Sequence, residues 1–242
     1  MNHELTQNGL FIIAGPCVIE SFDQCMQIGE HVRGICERLK ITYIFKASFD
    51  KANRSSNASF RGPGMVEGLK ILAWLKRELS VPVLTDVHEP EQVATVGEVV
   101  DILQVPAFLA RQTDLLQACG KTGKFVNVKK GQFMSPQEMG NAIEKVASPG
   151  KVLLTERGTF FGYNRLVNDF TGLPIMKSFD VPVVFDITHS TQQPAGLGNA
   201  SGGNPQYAPL LARAAIAAGF DGLFLECHPD PKNAKSDAAT ML

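Results

Sequence analysis

Short apolar runs recur along the chain, each closed by turn residues and followed by a segment whose apolar positions repeat at helical spacing. Eight runs read as strands, over 10–14, 42–46, 83–85, 102–105, 125–128, 152–155, 183–186 and 223–226. Amphipathic segments between them include 23–39, 65–79, 135–146 and 207–218, with Asp23 and Ser135 as expected N-caps and Pro136 at a first helical position. Strands alternating with helices imply a parallel sheet, and eight is the number that closes into a (β/α)8 TIM barrel. An open doubly wound sheet is the rival. No internal repeat or linker divides the chain, so 1–242 is expected to form one α/β domain. Only a short tail follows the eighth run, so the eighth outer helix is expected to be missing. The expectation is that the chain continues beyond Leu242, or that a neighbouring subunit covers the gap.

Polar side chains enter where each run ends. In barrels of this kind chemistry sits at the C-terminal strand ends. These ends supply Cys17 after the first run, Lys46 after the second, Asp86 and His88 after the third, and Gln104 and then Arg111 after the fourth. The fifth ends in Lys129 and Lys130, the sixth in Glu156 and Arg157, the seventh in Asp186 and His189, the eighth in Glu226 and His228. The second end opens into Lys51, Asn53, Arg54, Ser55 and Ser56, a density of donors that suits an anion, with a solvated basic loop as the plain alternative.

The totals fit this picture. A chain of 242 residues with 44% hydrophobic and 19% charged residues has material for one large core. A formal net charge of −1 provides no global field toward nucleic acid or membrane, so any anion site must be local. No basic segment followed by a long apolar run opens the chain, and no apolar stretch reaches spanning length. Five cysteines without close pairing fit a reducing cytoplasm better than a disulfide framework.

Closure would make the first and eighth strands neighbours. Cys17, His189 and Glu226 then share one arc, with Asp237 shortly after, a donor set suited to Zn2+, Fe2+ or Mn2+. Taken singly, each has a plainer reading, such as a small buried cysteine or a solvated loop acid. Cys25, Cys36, Cys119 and Cys227 read as structural, Cys227 facing away from the interior. His228 could line the site, ranked below His189, and His3 and His31 read as surface residues. The opposite arc is expected to carry the cations Lys46, Lys51, Arg54, Arg111, Lys129 and Arg157. One phosphate needs fewer, so two anionic groups or substrates are expected. A Schiff-base lysine stays open as an alternative. Asp86 and His88 suit hydroxyl recognition or proton transfer. The glycine-rich loop 192–203 lacks phosphate-loop spacing and reads as a lid or a plain connection.

The runs Lys46-Ala-Ser-Phe-Asp-Lys-Ala-Asn-Arg-Ser-Ser56, Thr85-Asp-Val-His-Glu-Pro90, Asn127-Val-Lys-Lys-Gly-Gln-Phe133, Phe185-Asp-Ile-Thr-His189 and Glu226-Cys-His-Pro-Asp230 resemble the 3-deoxy-D-manno-octulosonate 8-phosphate synthases. So do Pro106–Asp114 and Thr155–Gly158, and the likeness extends over nearly the whole chain. Related heptulosonate synthases resemble it in fold but carry a Lys-Pro-Arg-Thr type segment where this chain has Lys51-Ala-Asn-Arg54. The resemblance implies condensation of phosphoenolpyruvate with D-arabinose 5-phosphate in a cytoplasmic homotetramer. It assigns Lys46, Lys51, Lys129 and Arg157 to phosphoenolpyruvate, and Asn53, Arg54 and Ser55 to the sugar phosphate; Gln104, from its place at the end of the fourth run, is expected as a further substrate contact. Asp86 and His88 would meet the sugar hydroxyls or aldehyde, and Arg111 would reach a neighbouring subunit's sugar phosphate. Cys17, where a metal-independent class carries Asn, implies the metal-requiring class, with His189, Glu226 and Asp237 completing the ligands.

Overall fold

The computed structural model describes residues 9–52, 59–148, 150–194 and 202–242. Eight parallel strands close into a barrel in the order β1-β2-β3-β4-β5-β6-β7-β10. They are β1 (Phe11–Gly15), β2 (Thr42–Lys46), β3 (Val83–Asp86), β4 (Ile102–Val105), β5 (Phe125–Lys129), β6 (Val152–Glu156), β7 (Val183–Asp186) and β10 (Gly222–Glu226). The ring shuts through β1 and β10, where Ile13 pairs Phe224 and Gly15 pairs Glu226. A two-stranded antiparallel ribbon, β8 (Gln192–Gln193) with β9 (Gly202–Gly203), stands apart from it. The open doubly wound alternative is excluded.

The outer layer follows the same alternation. Helices α1 (Phe22–Leu39), α2 (Met65–Leu79), α3 (Pro90–Val99), α4 (Thr113–Lys121), α5 (Met139–Val146), α6 (Gly172–Lys177) and α7 (Ala208–Ala218) each follow one of β1 to β7. None follows β10 among the described residues; a 3-10 turn at Pro231–Asn233 leads into an irregular segment. Ile12 and Leu225, on the paired strands β1 and β10, remain only half-buried. No helix among the described residues is long and apolar enough to cross a membrane.

Two helix starts differ from expectation. Ser21, not Asp23, caps α1, its hydroxyl accepting from Gln24 N at 3.2 Å, while Asp23 lies in the first turn. Ser135 precedes a turn rather than a helix: its N–H donates to Glu138 Oε2 at 2.8 Å and α5 begins only at Met139.

Strand alternation sorts the core into two layers. Phe11, Ile13, Ile44, Leu84, Ile102, Leu153, Val184 and Phe224, with Phe125 against them, fill the barrel interior. The larger cluster, including Phe45, Leu72, Leu75, Leu103, Val128, Leu154 and Phe185, lies between barrel and helices. Two residues beyond Ile44, Leu84, Ile102, Val184 and Phe224 on the interior face stand Lys46, Asp86, Gln104, Asp186 and Glu226. The same pleat that packs the lower barrel therefore delivers charge to its C-terminal mouth.

Candidate active site

The mouth holds a cavity of about 510 Å3. Lys51, Asp86, His88, Gln104, Lys129, Arg157, His189, Glu226 and Asp237 all line it, so most of the residues singled out in the sequence converge on one space. Lys46 and Cys17 are buried beside it, linked to Glu226 and Asp237 respectively. Arg111 does not join them; it is exposed, and its carbonyl accepts from Lys145. Asn53, Arg54 and Ser55 lie outside the described residues, as do His3 and 195–201 of the glycine-rich loop. His31 is exposed, as expected.

The two-arc arrangement of cations facing acids does not hold. Inward side chains all point at the barrel axis, so long lysines reach the acids directly. Lys46 Nζ pairs with Glu226 and donates to the Cys17 carbonyl at 2.9 Å. Lys129 Nζ donates to Asp186 Oδ2 at 2.7 Å and lies 3.7 Å above the centre of the Phe224 ring. Lys51 Nζ stands 3.7 Å from Asp86 Oδ2. Asp86 also accepts from Gln104 at 2.6 Å and from Ser48. Arg157 donates through Nη2 to Gln192 at 2.5 Å, while its buried Nη1 has no hydrogen-bond partner among the described residues.

These contacts set the charge states. Burial opposes the Asp86 carboxylate, but Lys51 and Lys46 hold its pKa far below the usual range. Burial also opposes the charge on Lys51, yet Cys17, Glu226 and Asp86 push its pKa well above that of an ordinary lysine. Lys129 and Arg157 are lowered by burial, which Asp186 only partly offsets. His88 is lowered by burial against the pull of Asp86, and its Nδ1 is left unpartnered among the described residues.

Three of the four expected metal ligands, Cys17, Glu226 and Asp237, form one close group, and the fourth, His189, stands beside its two carboxylates. Cys17 Sγ lies 3.2 Å from Asp237 Oδ2, and the ligand atoms of Cys17, Glu226 and Asp237 all fall within 4.8 Å of one another. His189 Nε2 is 3.6 Å from Glu226 Oε2 and 3.8 Å from Asp237 Oδ2. Burial and then the two carboxylates raise the Cys17 thiol, whereas Lys46 and His189 bring Glu226 down to about 2 in spite of its burial. Glu226 Oε2 is buried without a hydrogen-bond partner among the described residues. A thiol, an imidazole and two carboxylates, one with an oxygen to spare, fit a divalent cation of the zinc, iron or manganese type.

Three neighbours carry no role in the sequence reading. Asp186 accepts from Lys129 and faces His189 Nδ1 at 2.7 Å, which leaves Nε2 turned toward Glu226 and Asp237. Its position on the interior face two residues after Val184 was the available signal. Ser236 Oγ lies 2.9 Å from Cys17 Sγ, and Gln192 holds Arg157; Ser236 comes from the irregular segment after β10 and Gln192 from the two-residue strand β8, neither long or regular enough for periodicity to mark. Conversely, His228 does not line the cavity. It sits outside, 2.6 Å from Gln24 Nε2 and 3.5 Å from Glu20, because it lies two residues past the end of β10, where alternation no longer holds. Cys227 faces away from the interior as expected, 3.9 Å from the Gly15 carbonyl.

Fold and mouth together define an α/β-barrel protein with a densely charged cavity over its C-terminal strand ends. Residues 6–242 match the DAHP synthetase I family, and the chain belongs to it. It is 60% identical over 238 residues to the 2-dehydro-3-deoxyphosphooctonate aldolase of Koribacter versatilis (strain Ellin345), spanning 96% of this chain and 85% of that protein. The proteins of that name from Nitratidesulfovibrio vulgaris (strain DP4) and Protochlamydia amoebophila (strain UWE25) are 57% and 51% identical, covering 94% and 96% of this chain and 84% and 86% of theirs.

Proposed function

We propose that this protein condenses phosphoenolpyruvate with D-arabinose 5-phosphate and water, giving 3-deoxy-D-manno-octulosonate 8-phosphate and inorganic phosphate. The observation that carries this reading is the mouth itself, where Lys46, Lys51, Lys129 and Arg157 converge in a chain 51–60% identical to proteins named for that product. In the reaction the C2–C3 π electrons of phosphoenolpyruvate attack the sugar aldehyde carbon while water oxygen adds at C2, one water proton going to the former aldehyde oxygen. The resulting hemiketal phosphate then breaks its C2–O bond and phosphate leaves.

Lys129 and Arg157 neutralise the carboxylate and phosphate of phosphoenolpyruvate, the unpartnered Arg157 Nη1 being available to a phosphate oxygen. Lys46 and Lys51 add positive charge beside the forming bond. Asp86, fixed as an anion by its lysines, and His88, neutral with a bare Nδ1, take the sugar's hydroxyl protons as hydrogen-bond acceptors. Cys17, His189, Glu226 and Asp237 would hold the divalent cation, which when bound supplies Lewis acidity toward aldehyde or water oxygen. The protein is further proposed to work as a cytoplasmic homotetramer, in which the exposed Arg111 turns to a neighbouring subunit's sugar phosphate.

Phosphate release from the two substrates tests the reaction, with erythrose 4-phosphate in place of arabinose 5-phosphate as the control. Release only with erythrose 4-phosphate would assign a sister synthase. Ligand binding by calorimetry with no release under any metal would refute catalysis. A borohydride-trapped adduct would assign the Schiff-base route instead. Sedimentation velocity tests the tetramer.

A further inference from the structure

Behind Lys129 and Arg157, two of the cations assigned to phosphoenolpyruvate, lies a charged pair that does not line the cavity. Alternation turns Lys129 inward and Lys130 outward at the end of β5; at the end of β6 it turns Glu156 outward and Arg157 inward. Lys130 and Glu156 are 1% and 3% exposed, and Lys130 Nζ lies 3.4 Å from Glu156 Oε2. Lys130 also donates to the Met134 carbonyl at 3.1 Å and to Thr159 Oγ1 at 3.3 Å, so one ammonium ties the β5 exit loop to the β6 exit loop. Glu156 Oε1 accepts the backbone N–H groups of Arg157 at 2.9 Å and Gly158 at 2.7 Å. Gly158 has φ +92°, so the chain turns sharply straight after Arg157, and the Glu156 carboxylate closes that turn.

A buried ion pair is a poor device for stability, because desolvating both charges offsets their attraction. This one spans adjacent strands and fixes the backbone from which Lys129 and Arg157 project. We propose that Lys130 and Glu156 are positioning residues for the anion-binding cations, setting the separation and aim of Lys129 and Arg157 without touching substrate. The inference rests on the phosphoenolpyruvate reading for the identity of the anion, though not for the geometry.

The test compares the full chain with Glu156→Ala, Glu156→Gln and Lys130→Met, using calorimetry with phosphoenolpyruvate and with inorganic phosphate, steady-state kinetics on both substrates, and melting temperature. Glu156→Ala should weaken phosphoenolpyruvate and phosphate binding by about tenfold or more, with the arabinose 5-phosphate KM within about threefold of wild type. Glu156→Gln keeps an oxygen for the two N–H groups but turns its NH2 toward the Lys130 ammonium, so it should recover part of the lost affinity, which a loss of fold would not. Lys130→Met should resemble Glu156→Ala. Wild-type affinity in Glu156→Ala, or equal losses for both substrates in step with melting temperature in all three variants, would overturn the proposal. If wild type binds phosphate but does not turn over phosphoenolpyruvate, the functional reading falls, and loss of phosphate binding in Glu156→Ala still supports the positioning role. Wild-type protein that binds neither anion would overturn both.

Discussion

Lys129 Nζ and Asp186 Oδ2 lie 2.7 Å apart at the floor of the mouth, one 8% and the other 0% exposed. The same oxygen is 2.7 Å from His189 Nδ1, and the other oxygen of Asp186 accepts from the His189 and Thr188 backbone N–H groups at 2.9 and 3.1 Å. One carboxylate thus holds a candidate anion-binding lysine and a candidate metal-binding histidine in fixed relation. Burial opposes its charge, but His189 and Lys129 keep its pKa well below the ordinary value, so it is ionised throughout the neutral range.

Replacing Asp186 by Asn should therefore damage stability and site together. Leaving Lys129 buried without its anion is expected to lower unfolding free energy by about 3–5 kcal/mol in urea titrations. Metal affinity should fall on the order of 10–100-fold through the freed imidazole. A variant with wild-type denaturation and metal binding would show that the clamp is idle.

The second prediction concerns the ligand cluster. Dialysis against chelator should abolish phosphate release, and adding Mn2+ or Zn2+ back should restore it. Metal at about a hundred times its Kd should also raise stability by about 2.7 kcal/mol, read as a melting shift. Cys17→Ala should lose both responses, since the thiolate is the softest ligand and the carboxylates alone bind such ions weakly. Full activity in protein that elemental analysis finds free of metal would end the metal-dependent reading.

How much of this was legible in the sequence depends on whether a residue sits inside a strand. Barrel strands are buried on both faces, so they stand out as short apolar runs, and every one of the eight lies within about one residue of its expected bounds. The inward phase follows from alternation, which is why the sequence alone places Asp86, Lys129 and Glu226 at the mouth. Where strands end, the period ends too: His228 turned outward, and Ser236 and Gln192 gave no signal. The Lys46–Glu226 and Lys129–Asp186 pairs were illegible for another reason. They depend on how far a flexible side chain reaches across the barrel axis, which no one-dimensional pattern encodes.

His88 supplies a prediction in pH. Burial, the largest influence, holds its pKa below the usual 6.5 although Asp86 pulls the other way. Between the lowered value and 6.5 the unfolded chain binds a proton that the folded chain refuses. Stability should rise with pH across that window and be lost as pH falls through it, by up to about 1.4 kcal/mol per pH unit for this one group. His88→Gln should remove that component, so the wild-type and variant stability curves should converge above pH 7 in shape and separate below 6.5, the variant holding up better. Parallel curves from pH 5 to 7.5 would contradict the assignment.

The last prediction ties the barrel seam to the site. Gly15 ends β1 beside Lys46 at the end of β2, and a Cβ built on Gly15 would stand 2.0 Å from the Lys46 carbonyl oxygen and 3.0 Å from its carbon. The obstacle is backbone in a paired strand, so no rotamer change relieves it. Gly15→Ala must therefore push β2 away at the point where Lys46 meets Glu226, and it should cost more than about 2 kcal/mol in chemical denaturation. Residual folded protein should show reduced kcat, because Lys46 has moved with its strand. Gly34→Ala is the matched control: it lies within α1, and its Cβ would meet nothing nearer than 3.9 Å. That change should raise stability by roughly 0.4–1 kcal/mol through the unfolded chain's lost freedom, with activity unchanged. If the two substitutions proved equally harmless, the close approach of β1 and β2 at the mouth would be wrong, and with it the placement of Lys46 against Glu226.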